Sequence, residues 1–343
     1  MTAGAFQVRE GLRRAAKTVR SWTDFAKPEL HGEPTFAAAR HLGALLIVLI
    51  VTMTWMLNGR DMAALGLAVP NADSSDPTAP FRGLGTWVDV FDWSFSATGG
   101  HPTVTPADID VMAVRGVQTI YLQASRHSAP EAILEPAVLN RFIERARKDH
   151  IHIVLWYAPT LVDVTQERRR IDAMGALDPD GVVVDAESRD IADPAERSRR
   201  LVALMSGVRA TNPGLPIGIA IQPPVLTEVV NPDFWPAFPY SEINAVVDVW
   251  MPMTYWSERR ASSPYRAPYR YVTDSITRLR ADVGTKNEIV VHAIGGVADS
   301  INAQQLSDYM RGVKDSNAVG ASLYDWRTTP QALWSLLNER RAK

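Results

Sequence analysis

DPDGVVVDAES, residues 178–188, runs from a turn-forming Asp-Pro-Asp-Gly into three valines and then sets two carboxylates, Asp185 and Glu187, two positions apart. A short β-branched run bounded by turn residues reads as a buried strand. Side chains alternate along a strand, so Val183, Asp185 and Glu187 point the same way. With Val183 packed inside, both acids arrive at the strand's C-terminal end.

Seven further runs share this design: LGTWVDVFD (84–92), VQTIYLQAS (117–125), HIVLWYAP (152–159), PIGIAIQ (216–222), VVDVWMPMTY (246–255), EIVVHAIG (288–295) and AVGASLYDW (318–326). Between them lie segments of helical period. In LEPAVLNRFIERARKDH, Leu134, Val138, Phe142, Ile143 and Ala146 form one apolar face. The turn and cap residues of TPADI, DPAER and NPGLP mark junctions. Strand–helix alternation predicts parallel strands covered by helices. Eight units over residues 84–343 predict an α/β fold, a (β/α)8 TIM barrel. The rival, a doubly wound sheet, wants a Gly-rich phosphate turn after its first strand; FDWSFSATGG (91–100) lacks the G-x-G-x-x-G spacing.

Composition narrows the chemistry. The 343-residue chain has no cysteine, which removes disulfides, thiolate nucleophiles and Cys-ligated zinc. A net charge of −2 without a Lys/Arg stripe gives no reason to expect nucleic acid as a partner. His150 and His152 fall at the start of a strand with no third ligand nearby, and neither a G-x-S-x-G elbow nor an H-E-x-x-H motif occurs. No metal or cofactor is expected.

LGALLIVLIVTMTWML (42–57) carries no charge. Extended back to residue 37 it reaches the roughly 20 residues that span a bilayer. Arg9, Arg13, Arg14, Lys17, Arg20, Lys27 and Arg40 precede it. By the positive-inside rule, residues 1–36 form a cytoplasmic basic tail, 37–57 a transmembrane signal anchor and 58–83 a linker, with the barrel extracytoplasmic. The tail also reads as a helix lying on the inner leaflet, or as a solvated arm.

Barrels of this class carry their chemistry at the C-terminal strand ends. Those ends offer Asp89, Asp92, Gln123, Ser125, Tyr157, Asp185, Glu187, Gln222, Tyr255, His292, Tyr324, Asp325 and Trp326. Acids, amides and aromatic rings without Gly-rich loops suit a sugar better than a phosphate. Two coupled carboxylates raise one pKa, so Glu187 is expected to donate a proton and Asp185 to tune it. The bland alternative has Asp185 capping a loop and Glu187 simply solvated. Asp92, Gln123, Tyr157, Gln222, His292, Asp325 and Trp326 are expected to bind substrate. A second carboxylate at strand seven, as in two-carboxylate retaining glycosidases, is missing from HAIGG; Asp325, Asp92 or Glu258 would have to supply it.

DGVVVDAE (180–187) resembles the strand-four signature D-G-x-D-x-D-x-E of family 18 glycoside hydrolases, the chitinase-like barrels. MPMTYW (251–256) is similar to their strand-six M-x-Y-D segment, and Trp326 falls where that family places an aromatic floor. The resemblance implies a glycoside hydrolase with Glu187 as the acid, Asp185 orienting an N-acetyl group and Tyr255 bonding the intermediate. Two positions depart: Val183 stands at the first strand-four Asp and Trp256 at the Asp after the Tyr. The expected function is hydrolysis of a cell-envelope or N-acetylated polysaccharide. The alternative is a catalytically inactive glycan-binding or scaffold barrel in envelope assembly.

Overall fold

In the computed structural model, the described residues are 76–284, 289–297 and 301–341. The basic tail, the 37–57 span and the linker up to residue 75 lie outside them. Among the described residues no helix is long and apolar enough to cross a membrane.

The eight strands are β1 (Gly83–Val88), β2 (Thr119–Gln123), β3 (His152–Tyr157), β4 (Gly181–Ala186), β5 (Ile217–Ile221), β6 (Val249–Pro252), β7 (His292–Gly296) and β8 (Gly320–Tyr324). Each pairs in parallel with its sequence neighbour from β1 to β6, and β8 lies between β1 and β7. Single parallel bridges, Trp250 to Val291 and Met253 to Ile294, join β6 to β7 and bring the sheet round to a near-closed barrel. The expected eight strands are all present. β6 and β7 start three and four residues later, at Val249 and His292, than the runs that announce them.

The helices are α1 (Val90–Trp93), α2 (Asp108–Val114), α3 (Pro136–Lys148), α4 (Val164–Gly175), α5 (Pro194–Thr211), α6 (Tyr240–Asn244), α7 (Pro268–Val283), α8 (Ala303–Asp315) and α9 (Gln331–Arg341). Their starts are written in the sequence. Pro136, Pro194 and Pro268 occupy first-turn positions that need no N–H donor. Asp163 and Asp193 accept from the backbone N–H of Gln166 and Ala195. Asn302 and Gln305 form a reciprocal capping box on α8.

Alternation divides the buried side chains into two layers. One lies between strands and helices; the other fills the barrel with Phe81, Trp87, Tyr121, Val154, Trp156, Val183, Ala220, Val249, Met251, Met253 and Ile294. Phe81 belongs to neither strand nor barrel helix. It sits in a 3-10 turn (Ala79–Phe81) and enters the barrel from the N-terminal end of the strands. The strands make room for its ring with glycine: a Cβ on Gly218 would stand 2.8 Å from Phe81 Cε1, and one on Gly181 3.3 Å from Cζ. The barrel therefore begins before Leu84, and residues 79–83 form its floor rather than the end of a linker.

Candidate active site at the barrel mouth

Two residues beyond the inner layer, each strand contributes one more inward position: Asp89, Gln123, Ala158, Asp185, Gln222, Tyr255, Gly296 and Tyr324. These form the first ring of the mouth. Val183 is packed in the inner layer, and Asp185 follows it as the alternation requires.

Asp185 is half-buried, and its Oδ1 is shut off from solvent without a hydrogen-bond partner. Burial, and then the charge of Glu187, push its carboxyl well above the usual range. Glu187 stands exposed at the rim, where Gln222 donates Nε2–H to its Oε2 at 2.9 Å. The surrounding walls desolvate Glu187 enough to raise its pKa against that bond. The two acids cannot readily ionise together. Two neighbouring carboxyls that both hold their protons more tightly than free acids are an arrangement suited to general-acid work.

Tyr255 faces the same space. Burial, then the charges of Asp185, Tyr324 and Glu187, raise its hydroxyl well above the ordinary value. It is therefore a permanent O–H donor. Its ring leans on Tyr324 at 6.2 Å between centroids, and Tyr324 leans on Trp87 at 6.4 Å. Gln123 looks inward too, but its Oε1 accepts from Val90 N–H at 3.1 Å and so fastens the chain leaving β1.

Five expected substrate contacts are placed elsewhere. Tyr157 points outward into the layer under the helices, because Trp156 beside it takes the inward direction. His292 opens β7 instead of ending it, and lies fully buried near the floor. Its Nδ1 is 2.7 Å from the Phe81 carbonyl oxygen and so carries the proton; Nε2 accepts from Ser322 Oγ at 3.0 Å. Burial lowers its pKa to about 4, against the Phe81 bond, leaving a neutral structural histidine. Trp326 turns away onto Trp334 of α9, 5.0 Å between centroids, with the Arg115 guanidinium over its ring. The aromatic residues at the mouth are Tyr255 and Tyr324, with Trp87 buried beneath them.

Asp92 is the fourth. It is completely buried behind the mouth, where Arg327 Nε approaches its Oδ1 at 2.5 Å. Burial, then the charges of Asp89 and Asp325, raise its pKa to about 6, with Arg327 opposing. Asp325 is nearly buried as well, its Oδ1 accepting from the backbone N–H and hydroxyl of Thr328, both at 2.8 Å. One oxygen each of Asp89, Asp92 and Asp325 lie within 4.8 Å of one another, the donor set a hard cation would want. The guanidinium of Arg327 supplies positive charge there.

Asp89 and Tyr324 are the mouth residues that the strand-end reading undervalued. Both obey the two-residue alternation that exposes Asp185, so the signal was present in LGTWVD and SLY.

No protein-family model matches the chain, and no curated protein matches it by sequence. Solved structures do resemble it. The endo-1,4-beta-D-mannanase of Thermotoga petrophila RKU-1 superposes with a TM-score of 0.54 at 11% identity, over 71% of this chain and 88% of that one. The spore cortex-lytic enzyme SleL of Bacillus cereus gives 0.55 at 12%, covering 75% and 74%. A class V chitinase of Pseudomonas fluorescens Pf-5 gives 0.52 at 9%, covering 75% and 98%. At such identities the likeness is one of fold: the chain carries the barrel architecture found in these glycoside hydrolases.

Proposed function

We propose that this barrel hydrolyses a glycosidic bond, with Glu187 as the general acid. The observation that carries the reading is the Asp185–Glu187 pair at the end of β4. Its inner member has an oxygen sealed without a partner, and its outer member is held by Gln222 at the open rim. Glu187 gives its proton to the glycosidic oxygen as the bond to the sugar C1 breaks. Asp185, beneath it, keeps the pair from ionising together, so that one proton remains available. Tyr255 donates a hydrogen bond to the sugar, and Tyr324 offers a ring face to it.

The substrate is a glycan of the cell envelope or an N-acetylated polysaccharide; the resemblance of DGVVVDAE and MPMTYW to the chitinase-like pattern supports this. The uncharged run 42–57, preceded by a basic tail, supports a single-pass anchor with the barrel outside the membrane. A silent glycan-binding barrel is favoured by one feature, the loss of two acids at Val183 and Trp256.

The test uses the full chain in detergent with chitin oligosaccharides, manno-oligosaccharides and envelope glycan fragments. Glu187→Gln should lower turnover by about 10²–10⁴-fold while leaving affinity within a few-fold. Binding without turnover in the wild type would establish the silent barrel. Turnover that Glu187→Gln leaves intact would remove Glu187 from the mechanism.

A further inference from the structure

An acid alone does not hydrolyse a glycoside; a nucleophile, or a base that activates water, must act on the other face of the sugar. In the pattern this chain resembles, Asp185 would orient the substrate's own N-acetyl group with support from two further carboxylates, on strands four and six. Here those two supporting positions, Val183 and Trp256, are hydrocarbon and indole. Val183 is packed in the barrel, and Trp256 is fully buried, with its ring 5.0 Å from that of Tyr309.

The missing group can be sought on the opposite wall. In the mouth ring Ala158 on the β3 side and Gly296 on the β7 side carry no bulk, while Asp185, Gln222 and Tyr255 rise between them from β4, β5 and β6. The facing wall comes from β8, β1 and β2. Three carboxylates belong to it, and two are withdrawn: Asp92 is sealed with Arg327, and Asp325 is bound into its own turn by Thr328. Glu258 lies off the ring in the 3-10 turn Trp256–Glu258. Asp89 remains. It continues the inward row of Trp87 and is partly open.

Its carboxylate is also aimed. Oδ1 accepts from Phe91 N–H at 2.7 Å and Oδ2 from the Tyr324 hydroxyl at 3.2 Å. The charges of Asp89, Asp325 and Asp185 all reach Tyr324.

We propose that Asp89 is the second catalytic carboxylate, the base that activates water on the face of the sugar opposite Glu187, and that Tyr324 positions it. The inference rests on the glycosidase reading. As Glu187 protonates the leaving oxygen and the C1–O bond breaks, water adds to C1 and its proton passes to Asp89. The products are a free reducing sugar and the leaving alcohol; Glu187 is left ionised and Asp89 protonated, and the two exchange protons with solvent. Attack from the opposite face inverts the anomeric centre. Burial, then Asp325, raise the Asp89 carboxyl above its ordinary value, against the Phe91, Tyr324 and Arg327 contacts, which makes it a stronger base.

The experiment takes the full-length enzyme and the oligosaccharide it cleaves. Proton NMR of the first turnovers should show the inverted anomer; the retained anomer overturns the proposal. This readout needs no variant. Asp89→Ala and Asp89→Asn should each lose about 10²–10⁴-fold in kcat. Sodium azide should restore turnover to Asp89→Ala as a glycosyl azide, and should not rescue Glu187→Ala. An Asp89 variant as active as wild type refutes the role of Asp89 and leaves Glu187 untouched. A wild type that cleaves no glycan removes the glycosidase reading, and this proposal with it.

Discussion

Replacing Asp92 by Asn probes the charge buried behind the mouth. Asp92 is fully enclosed, and its pKa moves from the ordinary 3.8 to about 6. At 1.36 kcal/mol per pKa unit, ionising it in the fold costs about 3 kcal/mol more than ionising it in the unfolded chain. Because the folded pKa is raised, the associated stability is complete below about pH 3.8 and is lost as pH climbs through about 6. Asn cannot ionise and escapes that loss. Its amide brings a desolvation cost of about 1–3 kcal/mol. That cost is nearly the same at every pH, so it cancels when two pH values are compared. Urea denaturation followed by tryptophan fluorescence should show Asp92→Asn gaining roughly 2–3 kcal/mol on wild type between about pH 4 and about pH 8. Equal differences at the two pH values would mean that Arg327 keeps Asp92 ionised throughout. Burial and the Asp89 and Asp325 charges would then not govern this carboxyl.

Phe81→Ala should destabilise the barrel by about 3–5 kcal/mol in the same assay, since a fully buried ring is lost from a cage of strands that cannot collapse inward. His292 should keep its neutral, Nδ1-protonated form down to about pH 4 in nitrogen-resolved NMR; a titration near its ordinary 6.5 would contradict the buried Phe81 and Ser322 contacts. Trp326→Ala should lower the melting temperature and leave glycan affinity unchanged by titration calorimetry, because the indole packs on Trp334 rather than facing the mouth.

The strands were legible because each is a compact β-branched or aromatic run between turn residues, and β4 was clearest because three valines leave no competing period. Direction at the strand ends was harder, since a step of one residue reverses it. Tyr157 adjoins the inward Trp156 and so faces the helices. Trp326 is two residues past the inward Tyr324, yet the chain has already turned there: its N–H donates to the Trp87 carbonyl, and Asp325 is fastened to Thr328. Alternation holds only while the strand does. His292 misled because tertiary pairing, not the apolar run, decides where β7 starts. Phe81 was hidden in a Pro-rich segment, and its niche is built by glycines on strands far away in the chain.

The Phe81 turn has a mechanical consequence. The carbonyl oxygens of Pro80 and Phe81 are tied to Thr119 and His292 at the beginnings of β2 and β7, so the polypeptide is fastened at the sealed pole of the barrel. Any tension arriving from upstream of Asp76 is delivered to that base. The opening with its acids lies at the other pole of the barrel, away from this fastening.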